Sequence, residues 1–266
     1  AYMSHNNLSV STVVTFLAAL SFFHKVNGLQ DNSKTLIVKK MLEGFRRKSP
    51  EKTDVRLPIT LSLLERLILS LYSFCNSSYE SFTFTSAFSL SFFDLLQIGE
   101  SKCHPRIHTI RLKDVSVHLK INSSKTDQHR KSTTLIIRKQ QNSSVCPVAL
   151  MKRFFLVRNS LPPSSLLFVH FDDFLLTRYQ FAGVLQKALI FCDITGHFRP
   201  HSFRIGGATE AKRLGFDDET IMKWGRWSSN SFEKYIRPDC SINPFSLRVL
   251  TCFFMIAKLK LALYTI

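Results

Sequence analysis

Pro200-His201-Ser202-Phe203-Arg204-Ile205-Gly206-Gly207-Ala208-Thr209 is the stretch on which the reading of this chain turns. His201 and Arg204 stand three apart, so on a helix they share one face. Arginine offers a planar fork of donors matched to phosphate oxygens, and a histidine beside it can donate a hydrogen bond or carry a proton. Taken alone, such a pair is more often a coincidence of surface or core. Its weight comes from two stretches further along the chain, Lys223-Trp224-Gly225-Arg226-Trp227-Ser228-Ser229 and Phe232-Glu233-Lys234-Tyr235-Ile236-Arg237-Pro238. Upstream, Val115, Val117, Leu119 and Ile121 alternate with Ser116, His118 and Lys120, the period of a half-buried strand. A second apolar run over residues 135–137 comes after a polar turn, which predicts a hairpin with Lys125 near its tip.

The chain is long and apolar enough to bury a core, with 266 residues, 45% of them hydrophobic, and 24 phenylalanines. Its formal charge of +17, from 36 Lys and Arg against 19 Asp and Glu, argues against a typical small-metabolite enzyme. The charge fits a polyanionic partner, either nucleic acid or an anionic membrane, and a basic solvated surface is the plain alternative. Cys75, Cys103, Cys146, Cys192, Cys240 and Cys252 lie far apart with no C-x-x-C pair. They read as buried thiols of a reducing compartment rather than as zinc ligands or disulfides.

Apolar spacing predicts helices over residues 9–23, 33–45, 60–71, 82–96, 147–155, 178–190, 200–214 and 217–224. Thr60 and Asp217 or Asp218 are their natural caps. The Phe-rich run over 82–96 reads as a buried helix, too polar to span a bilayer. Arg46-Arg47-Lys48-Ser49-Pro50-Glu51-Lys52 breaks the pattern and reads as a linker. That gives a small helical domain over 1–49, a larger domain over 50–240 and an apolar tail over 241–266. The tail reads as a packing helix or a miscalled exon end ahead of a membrane anchor. Ala1 opens the chain in mid-pattern, with Met3 nearby, as a piece of a longer protein would.

The order His-Ser-Phe-Arg, Gly-Arg-Trp and Tyr-Ile-Arg resembles the C-terminal part of tyrosine recombinases, the phage-integrase family. The likeness is strongest to those of Crypton-type and DIRS- or Ngaro-type mobile elements and their derivatives, and it covers the chain up to about Pro238. It implies a mainly α fold with a small β-sheet (α+β), in which a catalytic domain follows a partial helical DNA-clamping domain. It also implies DNA cleavage and rejoining through a 3′-phosphotyrosyl link, the chemistry of DNA recombination and integration. By the same resemblance Tyr235 is the nucleophile, Arg204 clamps the phosphate, and His201 bonds a phosphate oxygen or manages the tyrosine proton. Trp227 would donate its indole N–H, and Lys125 would protonate the leaving 5′-oxygen. On the residues alone Tyr235 is equally an amphipathic core tyrosine and Trp227 a packing aromatic. Lys125, with Lys131 as its competitor, reads on the residues alone as a solvated turn residue, and only the motif match raises it above that.

One position departs from the family pattern. Its first catalytic arginine stands in a motif resembling Leu-Leu-Arg-Ile-Gly-Glu, and this chain has Leu95-Leu96-Gln97-Ile98-Gly99-Glu100. Gln97 brings a donor but no charge and no fork, and losing one oxyanion donor typically costs about 10² to 10³ in rate. Asp94 adds negative charge near the same place. The expectation is a protein that binds DNA and cuts it poorly, or a domesticated DNA-binding module that does not cut at all. A gene-model error at Gln97 is the plain alternative. Lys39, Lys40, Arg46, Arg47 and Lys48 are expected backbone contacts to DNA, or else a solvated charge run. No metal or other cofactor is expected, because the cations of this chemistry are side chains. Double-stranded DNA is the expected partner, with no membrane partner. A homo-oligomer goes with the resemblance, since such recombinases act as tetramers on paired sites, and a nuclear location follows from the DNA.

Overall fold

Hydroxyl caps start the first two helices. Ser9 Oγ accepts the Thr12 N–H at 3.2 Å and opens α1 (Val10–Val26), and Thr35 Oγ1 accepts the Val38 N–H and opens α2 (Leu36–Lys48). Between them Asp31 caps a 3₁₀ turn, Asn32–Lys34, which delays α2 by three residues from the predicted start. Hydrogen bonds from the Ser21 and Ser33 hydroxyls hold the Asp31 carboxyl down at about 2. The computed structural model describes residues 8–49, 54–96, 106, 109–121, 133–140, 144–158, 166–170, 174–227 and 229–237. Packing divides the chain into two units, Ala1–Asp54 and Val55–Ile266. In the first, Val13 is the buried apolar residue of the helices, and Phe16, Leu20, Phe22 and Phe23 face solvent.

The second unit runs α3 (Leu61–Phe74), α4 (Ser78–Phe93), β1 (Ile110–Leu112), β2 (Ser116–Ile121), β3 (Thr133–Arg138), α5 (Pro147–Val157), α6 (Arg178–Phe191), α7 (His201–Arg213) and α8 (Asp218–Gly225). A 3₁₀ turn over Asn230–Tyr235 comes last. Helix α4 is the buried helix expected, shifted toward its N-terminus. Ser77 Oγ accepts the Glu80 N–H, Glu80 accepts the Asn76 N–H, and the helix stops where Leu95 turns left-handed at φ 51°. It is buried all round, and its small hydroxyl residues permit close packing without orphaned donors. Ser86 and Ser89 donate to the carbonyls of Leu150 and Val145 at 3.1 and 2.7 Å. Phe88 stands at the centre, its ring 5.1 Å from that of Phe181 and 4.8 Å from that of Phe203.

The sheet is an antiparallel meander in the order β1-β2-β3. Val117 pairs with Ile137 and Leu119 with Leu135, and these four fill the buried face. The predicted hairpin thus has a third strand, β1, too short to register as an alternating pattern. Lys125 and Lys131 lie outside the described residues. Of the described cysteines Cys146 is buried, and Cys75 and Cys192, which cap the C-terminal ends of α3 and α6, are half-buried and pack against the edge of the core. Among the described residues no helix is long and apolar enough to cross a membrane. The tail over 241–266 lies outside them.

Two glycines bring α7 onto its neighbours. A Cβ on Gly206 would lie 1.8 Å from the Ile59 carbonyl oxygen, and one on Gly207 2.2 Å from that of Phe92. The approach is sealed by the Ile59 N–H donating to Ser202 O at 3.0 Å. Gly206→Ala is therefore expected to force backbone apart and destabilise the unit by about 1–3 kcal/mol or more, read as a fall in the urea midpoint. An unchanged midpoint would contradict this packing.

Candidate active site

The first turn of α7 carries both residues singled out in the sequence. His201 opens the helix half-buried, and Arg204, one turn on, is 6% exposed. A buried cation requires acceptors, and here they are main-chain carbonyls. Arg204 Nη1 donates to Leu95 O at 2.9 Å, and Nη2 donates to Gly225 O. The guanidinium lies against two rings, 4.0 Å from the centroid of Trp227 and 5.5 Å from that of Tyr235. Tyr235 in turn stacks on His201 with ring planes 21° apart, and meets Trp227 at 5.1 Å. The structure thus brings Arg204, His201, Trp227 and Tyr235 into one cluster.

Local sequence builds each wall. Asp217 caps α8, whose C-terminal end closes through Arg226 in the left-handed conformation, φ 55°, and through the Trp227 N–H donating to Met222 O at 2.9 Å. Gly225 leaves room for the indole: a Cβ there would lie 1.8 Å from Trp227 Cζ3. Trp227 packs against Phe232 and also covers the Arg204 guanidinium. Thr209 anchors the tyrosine from below. Its Oγ1 donates to Tyr235 O at 3.1 Å and accepts the Arg237 N–H at 3.0 Å.

Sequence reasoning missed Thr209, Leu95 and Arg226. Thr209 carried a signal, as a hydroxyl at the end of the same helical stretch. The Leu95 carbonyl carried none, because a main-chain acceptor has no side-chain signature. Arg226 Nη2 donates to that same oxygen at 3.1 Å, and its Nη1 to Asp94 O at 3.4 Å. Gln97 and Lys125 lie outside the described residues. Lys39, Lys40, Arg46, Arg47 and Lys48 are all exposed on α2 in the first unit, where Lys40 pairs with Glu43 at 3.0 Å. Among the described residues no group of three or more His, Cys, Asp or Glu could hold a metal ion.

Asp94 differs from the expectation of a plain negative charge. The residue is half-buried, but its carboxylate Oδ2 is shut off from solvent. Burial pushes the carboxyl up to about 7, against the downward pull of the Arg226 guanidinium.

Three solved structures share the architecture. XerA recombinase overlays with a TM-score of 0.54 at 18% identity, covering 93% of this chain and 76% of that one. The Tn1549 transposon integrase in complex with transposon right end DNA gives 0.60 at 13% identity, over 93% and 80%. A lambda integrase dimer bound to a COC' core site gives 0.55 at 11% identity, over 85% and 65%. The fold is that of the tyrosine recombinases. No protein-family model and no curated protein matches the chain. In this tyrosine-recombinase fold α7 and the segment after α8 supply the four clustered side chains, and the turn after α4 supplies a carbonyl that holds the arginine.

The Asp94 shift sets a pH dependence. With the folded value raised from 3.8 to about 7, the group's contribution to stability is fully present below 3.8. It is lost as pH rises through 7, because the unfolded chain releases the proton first. Asp94→Asn should remove a slope of about 1.4 kcal/mol per pH unit across that window. The measurement is urea unfolding of both proteins from pH 4 to pH 8, where parallel curves would contradict the burial of this carboxyl.

Proposed function

We propose that this chain is a DNA-binding strand-transfer protein of the tyrosine-recombinase type, akin to the recombinases of Crypton-type or DIRS-type mobile elements. Its partner is double-stranded DNA, and its site of action the nucleus. The support is the cluster itself: an indole and a phenol over one buried guanidinium, with an imidazole stacked on the phenol.

In the step proposed, the Tyr235 oxygen attacks the phosphorus of a DNA phosphodiester and passes its proton to His201, which stacks on its ring. A Tyr235–phosphorus bond forms at the 3′ side and the bond to the 5′-oxygen breaks. The departing 5′-oxygen takes a proton, for which Lys125 is the proposed acid, and a 5′-hydroxyl later reverses the step to rejoin the strand. No energy source is consumed, because one phosphoester replaces another. Arg204 answers the charge growing on the non-bridging oxygens, with His201 and Trp227 as further donors. Lys39, Lys40, Arg46, Arg47 and Lys48 contribute salt-dependent contacts to the DNA backbone.

Gln97 replaces a cation of this chemistry with a neutral donor, so cleavage is slow. A second reading, a DNA-binding module that no longer cuts, is favoured by that same residue. The experiment is covalent trapping on nicked duplexes that the protein has first selected from a random pool. Wild type should form adduct about 10²-fold more slowly than Gln97→Arg, and Tyr235→Phe should form none. If Gln97→Arg also forms none on bound DNA, the strand-transfer reading falls and the module remains. An adduct that survives Tyr235→Phe would remove Tyr235 as nucleophile.

A further inference from the structure

Arg226 occupies a left-handed position that glycine takes without steric penalty and other residues do not. Leu95, facing it across the site, is left-handed as well. These two uncommon backbone positions bring Arg226 Nη2 onto Leu95 O at 3.1 Å, the oxygen that Arg204 Nη1 already holds at 2.9 Å. Two guanidinium groups therefore converge on one carbonyl, within a few ångströms of each other. Like charges so close repel, and an anion placed between them relieves that repulsion. Asp94, the residue before Leu95, offsets little of that charge below pH 7, since burial keeps its carboxyl toward the neutral form.

We propose that Arg226 supplies a second guanidinium to the phosphate site, taking up part of the role that the uncharged Gln97 leaves open. The proposal rests on the reading of the cluster as a phosphodiester site. Arg226 is half-buried, whereas Arg204 is almost wholly enclosed, so Arg226 is the more accessible of the two. When a phosphate enters, a non-bridging oxygen replaces the Leu95 carbonyl as acceptor for Nη2, and the neighbouring bonds to Asp94 O and Trp224 O keep the fork in place. Nothing covalent changes at Arg226. It binds the anion and spreads the charge.

The test uses the full chain with Trp224→Phe, which leaves Trp227, lying over Arg204, as the sole tryptophan reporter. Phenyl phosphate is titrated while Trp227 emission is followed, in that background and with Arg226→Gly, Arg226→Lys or Arg204→Ala added. Arg226→Gly should keep or raise the melting temperature, because glycine suits the left-handed position, and should bind phenyl phosphate about tenfold more weakly. Arg226→Lys should lose less, because the charge remains and only the fork is lost. Binding by both Arg226 variants within about twofold of the parent, while Arg204→Ala binds poorly, would overturn the role of Arg226 and leave the phosphate site standing. Should Arg204→Ala also bind like the parent, the site reading itself fails, and this inference with it.

Discussion

Burying a guanidinium is the constraint from which the rest of the site derives. Arg204 cannot give up its charge, so the fold has to bring acceptors to it. They come from two distant places in the chain, the carbonyl after α4 and the carbonyl at the end of α8. Each demands a particular backbone: Leu95 and Arg226 left-handed, Gly225 without a side chain so that the indole can lie over the arginine. Gly206 and Gly207 serve the same end by letting α7 approach Ile59 and Phe92 at backbone distance. Breaking any of these leaves a buried cation without its partners, a loss of several kcal/mol by the usual measure of such sites. Tyr235 is placed by the same logic, tied through Thr209 to the helix that carries the arginine.

The charge of the molecule and the charge of the site act at two scales. An excess of +17 favours a polyanionic partner through a long-range, salt-sensitive attraction. Within the proposed site, the density of cations sets how strongly one phosphate is held. On the proposed reading Gln97 lowers that density and Arg226 raises it, and the Asp94 carboxyl, pushed up to about 7 by burial, adjusts it with pH.

Much of this was legible in the sequence, and the exceptions have physical reasons. Helices with hydroxyl or carboxylate caps and strong apolar spacing, such as α3 with Thr60 and α8 with Asp217, stand where spacing put them. Helix α4 began earlier because Ser77 and Glu80 outcompete the Phe pattern as a start signal. Strand β1 has three residues, fewer than any alternation can reveal. His201, Arg204, Trp227 and Tyr235 could be picked out because their chemistry resides in side chains at motif spacing. The Leu95 carbonyl and the left-handed turn at Arg226 could not, since they depend on where separate segments meet. Gln97 and Lys125 lie outside the described residues, so their roles rest on the sequence.

The central claim is that one DNA phosphate is held by Arg204 beneath Tyr235. Its most direct measurement is a scan in which a single neutral methylphosphonate replaces each phosphate of a selected duplex in turn, with affinity measured for wild type and Arg204→Ala. One position is predicted at which the neutral linkage weakens wild type about tenfold or more and leaves Arg204→Ala almost unaffected, the mark of a coupled pair. Equal losses in the two proteins at every position would contradict the claim.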